Sequence, residues 1–195
     1  MKHQGVRDTL IRRAIAVIAS EGLDKTTTKA IVKDTGINEA YIYRYFEDKE
    51  DLLAKAFAEL DNEMVSRCMQ HVSVMQMKEL VFEQRCRLFF AAIWRFLLGN
   101  SEKCLSFIRY YYSPYFMRNS VEEHTARYQP FLEKIYPAFK EEANVWMLLN
   151  HILNVMLDFT IKVLEGAVPD NDDTAEHVFR LVYNSVSPYF KEREE

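Results

Sequence analysis

The stretch Thr26–Lys49, TTTKAIVKDTGINEAYIYRYFEDK, decides how this chain is read. It holds two short helical patterns separated by a turn of about four residues around Gly36, the arrangement of a helix-turn-helix. Thr26, Thr27 and Thr28 offer hydroxyls suited to an N-cap, and the first short helix is expected from about Thr28 to Asp34. Gly36 supplies the left-handed backbone that a sharp corner needs. Asn38 can cap a second short helix, from about Glu39 to Tyr45. Ile31, Ile37 and Ile42 are the apolar pins between the two. The outward face is left with Asn38, Glu39, Tyr41 and Tyr45, hydrogen-bonding groups at a helix N-terminus of the kind that enters a major groove.

On the N-terminal side, Leu10, Ile11, Ala14, Ile15, Val17 and Ile18 recur at helical steps, so a helix is expected from about Val6 to Ser20, with Gly22 at its C-cap. On the C-terminal side, Asp48 can cap a fourth helix, with Asp51 as an imperfect capping box. That helix carries Leu52, Leu53, Ala56, Phe57 and Leu60 and continues towards Met69. Capping-box spacings at Ser73/Gln76, Ser120/Glu123 and Asp173/Glu176, with Ser101 as a plain cap, mark later starts. Helices are expected at about 74–98, 102–112, 121–140, 143–165 and 172–187. Gly166, Pro169 and the run Asp170–Asp173 form the last turn, and Pro188 ends the last helix. The segment Arg109–Phe116 is aromatic enough for a strand, but no partner strand appears, so it reads as helix to about Ser113-Pro114. The expected fold is all-α: a three-helix head at 4–64, with the motif at 27–46, and a helical body at 65–195.

Composition agrees. In 195 residues, 49% are hydrophobic and 28% charged, as in a globular protein. Glycine and proline number only 5 each, too few for a turn-rich β-sandwich, collagen or a low-complexity chain. The net charge of −4 is unevenly spread: residues 1–46 hold 8 Lys/Arg against 5 Asp/Glu, and residues 47–195 hold 17 against 24. A basic head on an acidic body points the head at an anionic partner. Cys68, Cys86 and Cys104 are odd in number and widely spaced, so they read as free thiols in a reducing compartment. The longest apolar stretch, Leu88–Leu98, is about half a membrane span and contains Arg95. Arg12-Arg13 before Ala14–Ala19 mimics a signal peptide, but the apolar part is too short. A soluble, cytoplasmic protein is expected.

Gly22, Thr26, Thr27, Ile31, Gly36, Ile37, Asn38, Tyr43, Phe46, Lys49 and Leu52, at their fixed spacing, resemble the tetracycline-repressor (TetR) family of bacterial transcription factors over about residues 4–64. Asn38 stands where serine is usual, Ala40 and Tyr41 replace glycine and threonine, Tyr45 replaces histidine and Thr35 replaces alanine. By position, Thr27 and Thr28 would meet phosphate at the start of the second helix, and Lys29 would reach phosphate or a base edge. Asn38, Glu39, Ala40 and Tyr41 would face bases. Tyr43, Tyr45 and Lys49 would contact the DNA backbone and set the register. Tyr43 could equally be core, Phe46 reads as core, and Arg7, Arg12 and Arg13 are either nonspecific contacts or a solvated face.

The resemblance implies that the body binds an inducer. Of 26 aromatic residues, 15 lie between Phe82 and Phe139. A pocket lined by Trp94, Arg109, Tyr110 and Tyr112 is one reading, and ordinary core is the other. On the helix at 143–165, Asn150, Asn154, Asp158 and Lys162 follow at steps of four beside His151, amid nearly continuous apolar residues. Asn150, Asn154 and Asp158 are candidate ligand contacts; a dimer mate or solvent is the alternative. The resemblance pairs the helices at 143–165 and 172–187 with their mates in a homodimer. His3, His71, His124, His151 and His177 are scattered, Cys68 and His71 lack further ligands, and no catalytic motif occurs, so no metal, cofactor or enzymatic activity is expected. The expected function is a dimeric, ligand-responsive regulator, a repressor on a pseudo-palindromic double-stranded operator, released by a small-molecule inducer. A helical-bundle enzyme or metal protein, and a DNA-binding regulator without an inducer, are the other readings.

Overall fold

The structure is a computed structural model that describes residues 2–191. The helices run α1 Lys2–Glu21, α2 Thr28–Val32, α3 Ile42–Tyr45, α4 Lys49–His71, α5 Phe82–Gly99, α6 Ser101–Tyr111, α7 Pro114–Asn119, α8 Val121–Ile135, α9 Val145–Leu164 and α10 Asp172–Val186. Short 3-10 turns precede α3, at Glu39–Tyr41, and follow α4, α8 and α10. The described residues form no strand, only an isolated bridge between Phe139 and Phe190. The all-α expectation holds.

The chain divides into two compact units. One comprises Met1–Met64 and Asn100–Arg127, the other Val65–Gly99 and Tyr128–Glu195. The sequence reading gave everything after residue 64 to one body. The segment Asn100–Arg127 groups with the head instead, and its aromatic residues explain why. Phe57 of α4 stacks on Tyr110 at 4.8 Å, lies 5.0 Å from Phe107 and meets Phe116 edge-on at 5.4 Å. Deeper on α4, the fully buried Asp61 accepts a hydrogen bond from Arg127 and lies 3.0 Å from His124 Nδ1. Tyr110 Oη and Ser120 Oγ are 3.0 Å apart. Burial pushes the phenols of Tyr110 and Tyr111 up from their ordinary value.

Arg109 extends α6 onto α1. Its Nη1 donates to the carbonyls of Ile18 and Ala19, both at 2.8 Å, at the end of a helix whose last carbonyls have no partner in the helix itself. Gly22, at φ 86, turns the chain there as expected.

In the second unit, Phe90, Ile93, Trp94 and Leu97 of α5, Met156 and Leu157 of α9, and Val178, Phe179 and Val182 of α10 are buried. Arg87 lies over the Phe179 ring at 4.2 Å and pairs with Glu83 and Glu176. α9 is, among the described residues, the one helix long and apolar enough to cross a membrane by length and composition. Its most apolar window has mean hydropathy 1.4 yet is only 28% buried. Met147 on α9 and Leu181 on α10 are 65% and 54% exposed.

Several boundaries after α4 differ from the sequence reading. The Ser73/Gln76 spacing falls in the 3-10 turn Val72–Gln76, and α5 starts only at Phe82. Arg85 holds the intervening loop, its buried guanidinium donating to Leu80 O at 2.8 Å and Met75 O at 3.3 Å. Pro114 does more than end α6. It opens α7 at the first helical position, where a missing N–H costs nothing. α8 stops at Ile135 and passes into the 3-10 turn Tyr136–Ala138 rather than running to residue 140.

Candidate nucleic-acid interface

The head is built around three side-chain caps. Thr27, in extended backbone, accepts from Ala30 N at 3.1 Å and starts α2. Asn38 accepts from Ala40 N at 2.9 Å and starts the 3-10 turn that leads into α3. Asp48 accepts from Asp51 N at 2.8 Å, so it caps α4 as foreseen, while the Asp51 carboxylate reaches back to the N–H of Glu47, one residue before the cap, at 3.2 Å.

α2 ends at Val32, two residues earlier than expected. Asp34 adopts φ 59, a left-handed conformation that aspartate tolerates better than most side chains. Gly36 follows at φ 70, so the corner uses two left-handed residues. Arg13 reaches from α1 to the end of α2, donating to Ile31 O at 3.4 Å and Lys33 O at 3.2 Å. It is a scaffold residue. Arg7 lies over the Phe46 ring at 5.8 Å, and Arg12 bonds Thr9 at 3.3 Å.

Two of the three expected pins, Ile31 and Ile42, are fully buried, and Ile37 is half-buried. Phe46 is core, as read from the sequence, at 4% exposure. Tyr43, left open between core and contact, is 61% exposed. Thr27, Lys29, Asn38, Ala40 and Tyr41 are also exposed; Thr28, Glu39, Tyr45 and Lys49 are half-buried. The surface made by the turn and α3 is therefore polar and aromatic, held from behind by apolar pins.

Thr28 departs from its expected role. Its hydroxyl donates to the Glu39 carboxylate, which ties the first turn of α2 to the start of the second helical element. A hydroxyl so engaged is not offered to phosphate.

The seven candidate ligand contacts are divided between the two units. Arg109, Tyr110 and Tyr112 belong to the first unit and Trp94, Asn150, Asn154 and Asp158 to the second. Arg109 caps α1, and Tyr110 is packed on Phe57 with its hydroxyl on Ser120. Arg109 Nη1 and the Tyr110 hydroxyl thus have partners inside the first unit. Tyr112 is 58% exposed. Trp94 is buried and stacked on Phe90 at 5.8 Å. Asn150 donates to Trp146 O at 2.9 Å. Asn154 and Asp158 are exposed, and Asp158 pairs with Lys162 one turn on at 2.6 Å. His151 Nε2 lies 2.9 Å from Ser185 Oγ on α10. Among the described residues, no three His, Cys, Asp or Glu side chains are grouped to hold a metal.

The sequence reading missed the Asp61–His124–Arg127 cluster and the Arg109 cap. Asp61 did carry a signal: with Phe57, Leu60 and Met64 it lies on the apolar stripe of α4, where an unpaired charge is too costly to tolerate.

A capped helix-turn-helix on a wholly helical chain defines a DNA-binding regulator. Residues 10–56 match the family described as bacterial regulatory proteins, tetR family. The chain is 34% identical over 58 residues to the fatty acid metabolism regulator protein of Bacillus subtilis (strain 168), a match that spans 30% of either protein. In fold, it is similar over 98% of its length to all of a TetR-family transcription regulator from Marinobacter aquaeolei VT8, with TM-score 0.77 and 16% identity. Over 90% of its length it is similar to 96% of the Bacillus subtilis regulator FadR in complex with stearoyl-CoA, with TM-score 0.67 and 20% identity. Residues 10–56 thus carry the DNA-binding segment of the TetR family, and the chain as a whole shares the fold of TetR-family regulators.

Proposed function

We propose that this protein is a ligand-responsive transcription regulator that binds a pseudo-palindromic operator as a homodimer and acts as a repressor. Residues 4–64 form the DNA-binding head and residues 65–195 the regulatory part. The observation that carries the DNA-binding reading is the exposed polar and aromatic surface at Lys29, Asn38, Ala40, Tyr41 and Tyr43 on a capped, internally pinned helix pair. Ala40 and Tyr41 face base edges. Thr27, Tyr43, Tyr45 and Lys49 contact the backbone and set the register.

The dimer rests on α9 and α10. Most of α9 is half-buried, while Met147 on α9 and Leu181 on α10 are exposed apolar side chains, and a second copy covers them with the same face by two-fold symmetry. Two heads then sit about 34–36 Å apart, one DNA turn. A small molecule in the body releases the operator by favouring a spacing that no longer fits successive grooves, and it shifts that balance only by its differential affinity for the two states. Stearoyl-CoA, the ligand held by the FadR relative, is the first compound to test.

The test separates two kinds of contact on operator and scrambled DNA across several salt concentrations. Tyr41→Ala is expected to cost about 1–3 kcal/mol on the operator and to relax preference at one position. Lys49→Ala is expected to weaken both DNAs alike and to lower the salt slope by about one unit. Equal loss on both DNAs for Tyr41→Ala, or an unchanged slope for Lys49→Ala, reverses these assignments.

A further inference from the structure

Glu39 is the acid on the surface proposed to meet DNA, an odd place for a negative charge facing a polyanion. It is half-buried, and its carboxylate accepts from the Thr28 hydroxyl. No lysine or arginine among the described residues forms an ion pair with it; ion pairs of the head such as Arg7–Asp8 and Lys55–Asp51 lie elsewhere. Its neighbours on the 3-10 turn, Ala40 and Tyr41, are exposed, so Glu39 belongs to a turn that presents its surface at the leading edge of the motif.

We infer that Glu39, held in place by Thr28, reads the N4 amine of a cytosine in the major groove. The inference rests on the DNA-binding reading above. An ionised carboxylate is acceptor-only. Guanine presents two acceptors in that groove and thymine one acceptor and a methyl, so both repel or ignore it. Adenine offers an N6 donor, but its N7 acceptor lies beside it and opposes the same charge. Cytosine offers the N4 donor at the end of the base-pair edge, flanked by an acceptor (the paired guanine's O6) on one side only, whereas adenine N6 lies between its own N7 and the thymine O4, so the cytosine amine is the donor that best suits a carboxylate.

Thr28 is a positioning residue. A free glutamate has three side-chain torsions and would swing away from the phosphates; one bond to Thr28 fixes the carboxylate in the cleft between the two helices. The remaining lone pairs are then held ready for the base amine, without ordering the side chain at the moment of binding. The pin also explains why an acid can be tolerated there: a fixed carboxylate repels every wrong edge and so discriminates more than it attracts.

The experiment selects binding sites for the full chain from a pool of randomised duplexes, with wild type, Glu39→Gln, Thr28→Val and Thr28→Ser compared after each is checked for an unchanged melting temperature. Wild type is expected to enrich a symmetric motif with cytosine at one position of each half-site, preferred about tenfold or more over other bases. Glu39→Gln and Thr28→Val are expected to cut that preference below about threefold at that position alone, and Thr28→Ser, which restores the hydroxyl, to keep it. Should Thr28→Val melt early, Glu39→Asp tests the pin instead, since its shorter arm cannot serve Thr28 and the base together. It should lose the same preference. A Glu39-dependent position that is not cytosine, or full preference retained by the variant that breaks the pin, overturns the assignment. A wild-type chain that enriches no motif overturns it together with the DNA-binding reading. A wild-type motif indifferent to every one of these substitutions overturns only the role of Glu39.

Discussion

The two units leave opposite kinds of surface exposed. In the first, what faces outward around α3 is polar and aromatic: Asn38, Tyr41 and Tyr43 over buried Ile31, Ile42 and Phe46. In the second, polar side chains satisfy one another while apolar ones remain uncovered, with Met147 and Leu181 more than half exposed on α9 and α10. A hydrogen-bonding surface suits nucleic acid. An apolar helix face suits another copy of itself. The same chain thus states two partners through what it fails to bury.

The contrast breaks first, and hardest, in the interior of the first unit. Asp61→Ala leaves His124 and Arg127 without their shared buried acceptor. It is expected to destabilise the fold by about 3–5 kcal/mol. Urea unfolding followed by circular dichroism measures this, and a change below about 1 kcal/mol means that the cluster is not structural.

On the second unit the expected effect is on assembly and not on folding. Leu181→Asp places a charge on an exposed apolar position and should raise the dimer dissociation constant at least about a hundredfold, or roughly 2.7 kcal/mol. The subunit itself should change by only about 0.5 kcal/mol, as exposed sites usually do. Sedimentation at micromolar concentration reads the first and thermal melting the second. Val182, one residue on, is buried at 6% exposure, so a charge there would disrupt the subunit and could not isolate the interface.

A smaller effect sharpens the boundary between scaffold and ligand site. Arg109→Ala removes two charge-assisted bonds from the exposed end of α1 and should cost about 1–2 kcal/mol of stability with no ligand present. Were Arg109 a ligand contact alone, its loss would leave the unliganded melting curve where it was.

How much of this was legible in the sequence follows the range of the interactions. The motif could be read because its signals are local: a cap acts over three residues, and Gly22 and Gly36 each answer a backbone need at their own position. Thr27, Asn38 and Asp48 all cap as their identities suggest. Helix boundaries failed where a distant residue decided them, as at 72–81, where Arg85 holds a loop against a good local capping pattern. The place of Arg109 was hidden for the same reason. Arg109 and Ile18 are 91 residues apart, and no periodicity within α6 tells which helix end its guanidinium will reach. Thr28 and Glu39 are only 11 apart, yet their bond depends on how tightly the corner closes, which the left-handed Asp34 sets.

The most direct test of the central claim is a footprint of the full-length protein on DNA selected from its own genome. The account predicts one protected site with two symmetric half-sites centred about 10–10.5 base pairs apart, or a whole multiple of that turn, lost at equal protein concentration in the Leu181→Asp variant. Protection of a single unsymmetrical half-site, or a symmetric footprint that survives in the monomeric variant, would contradict it.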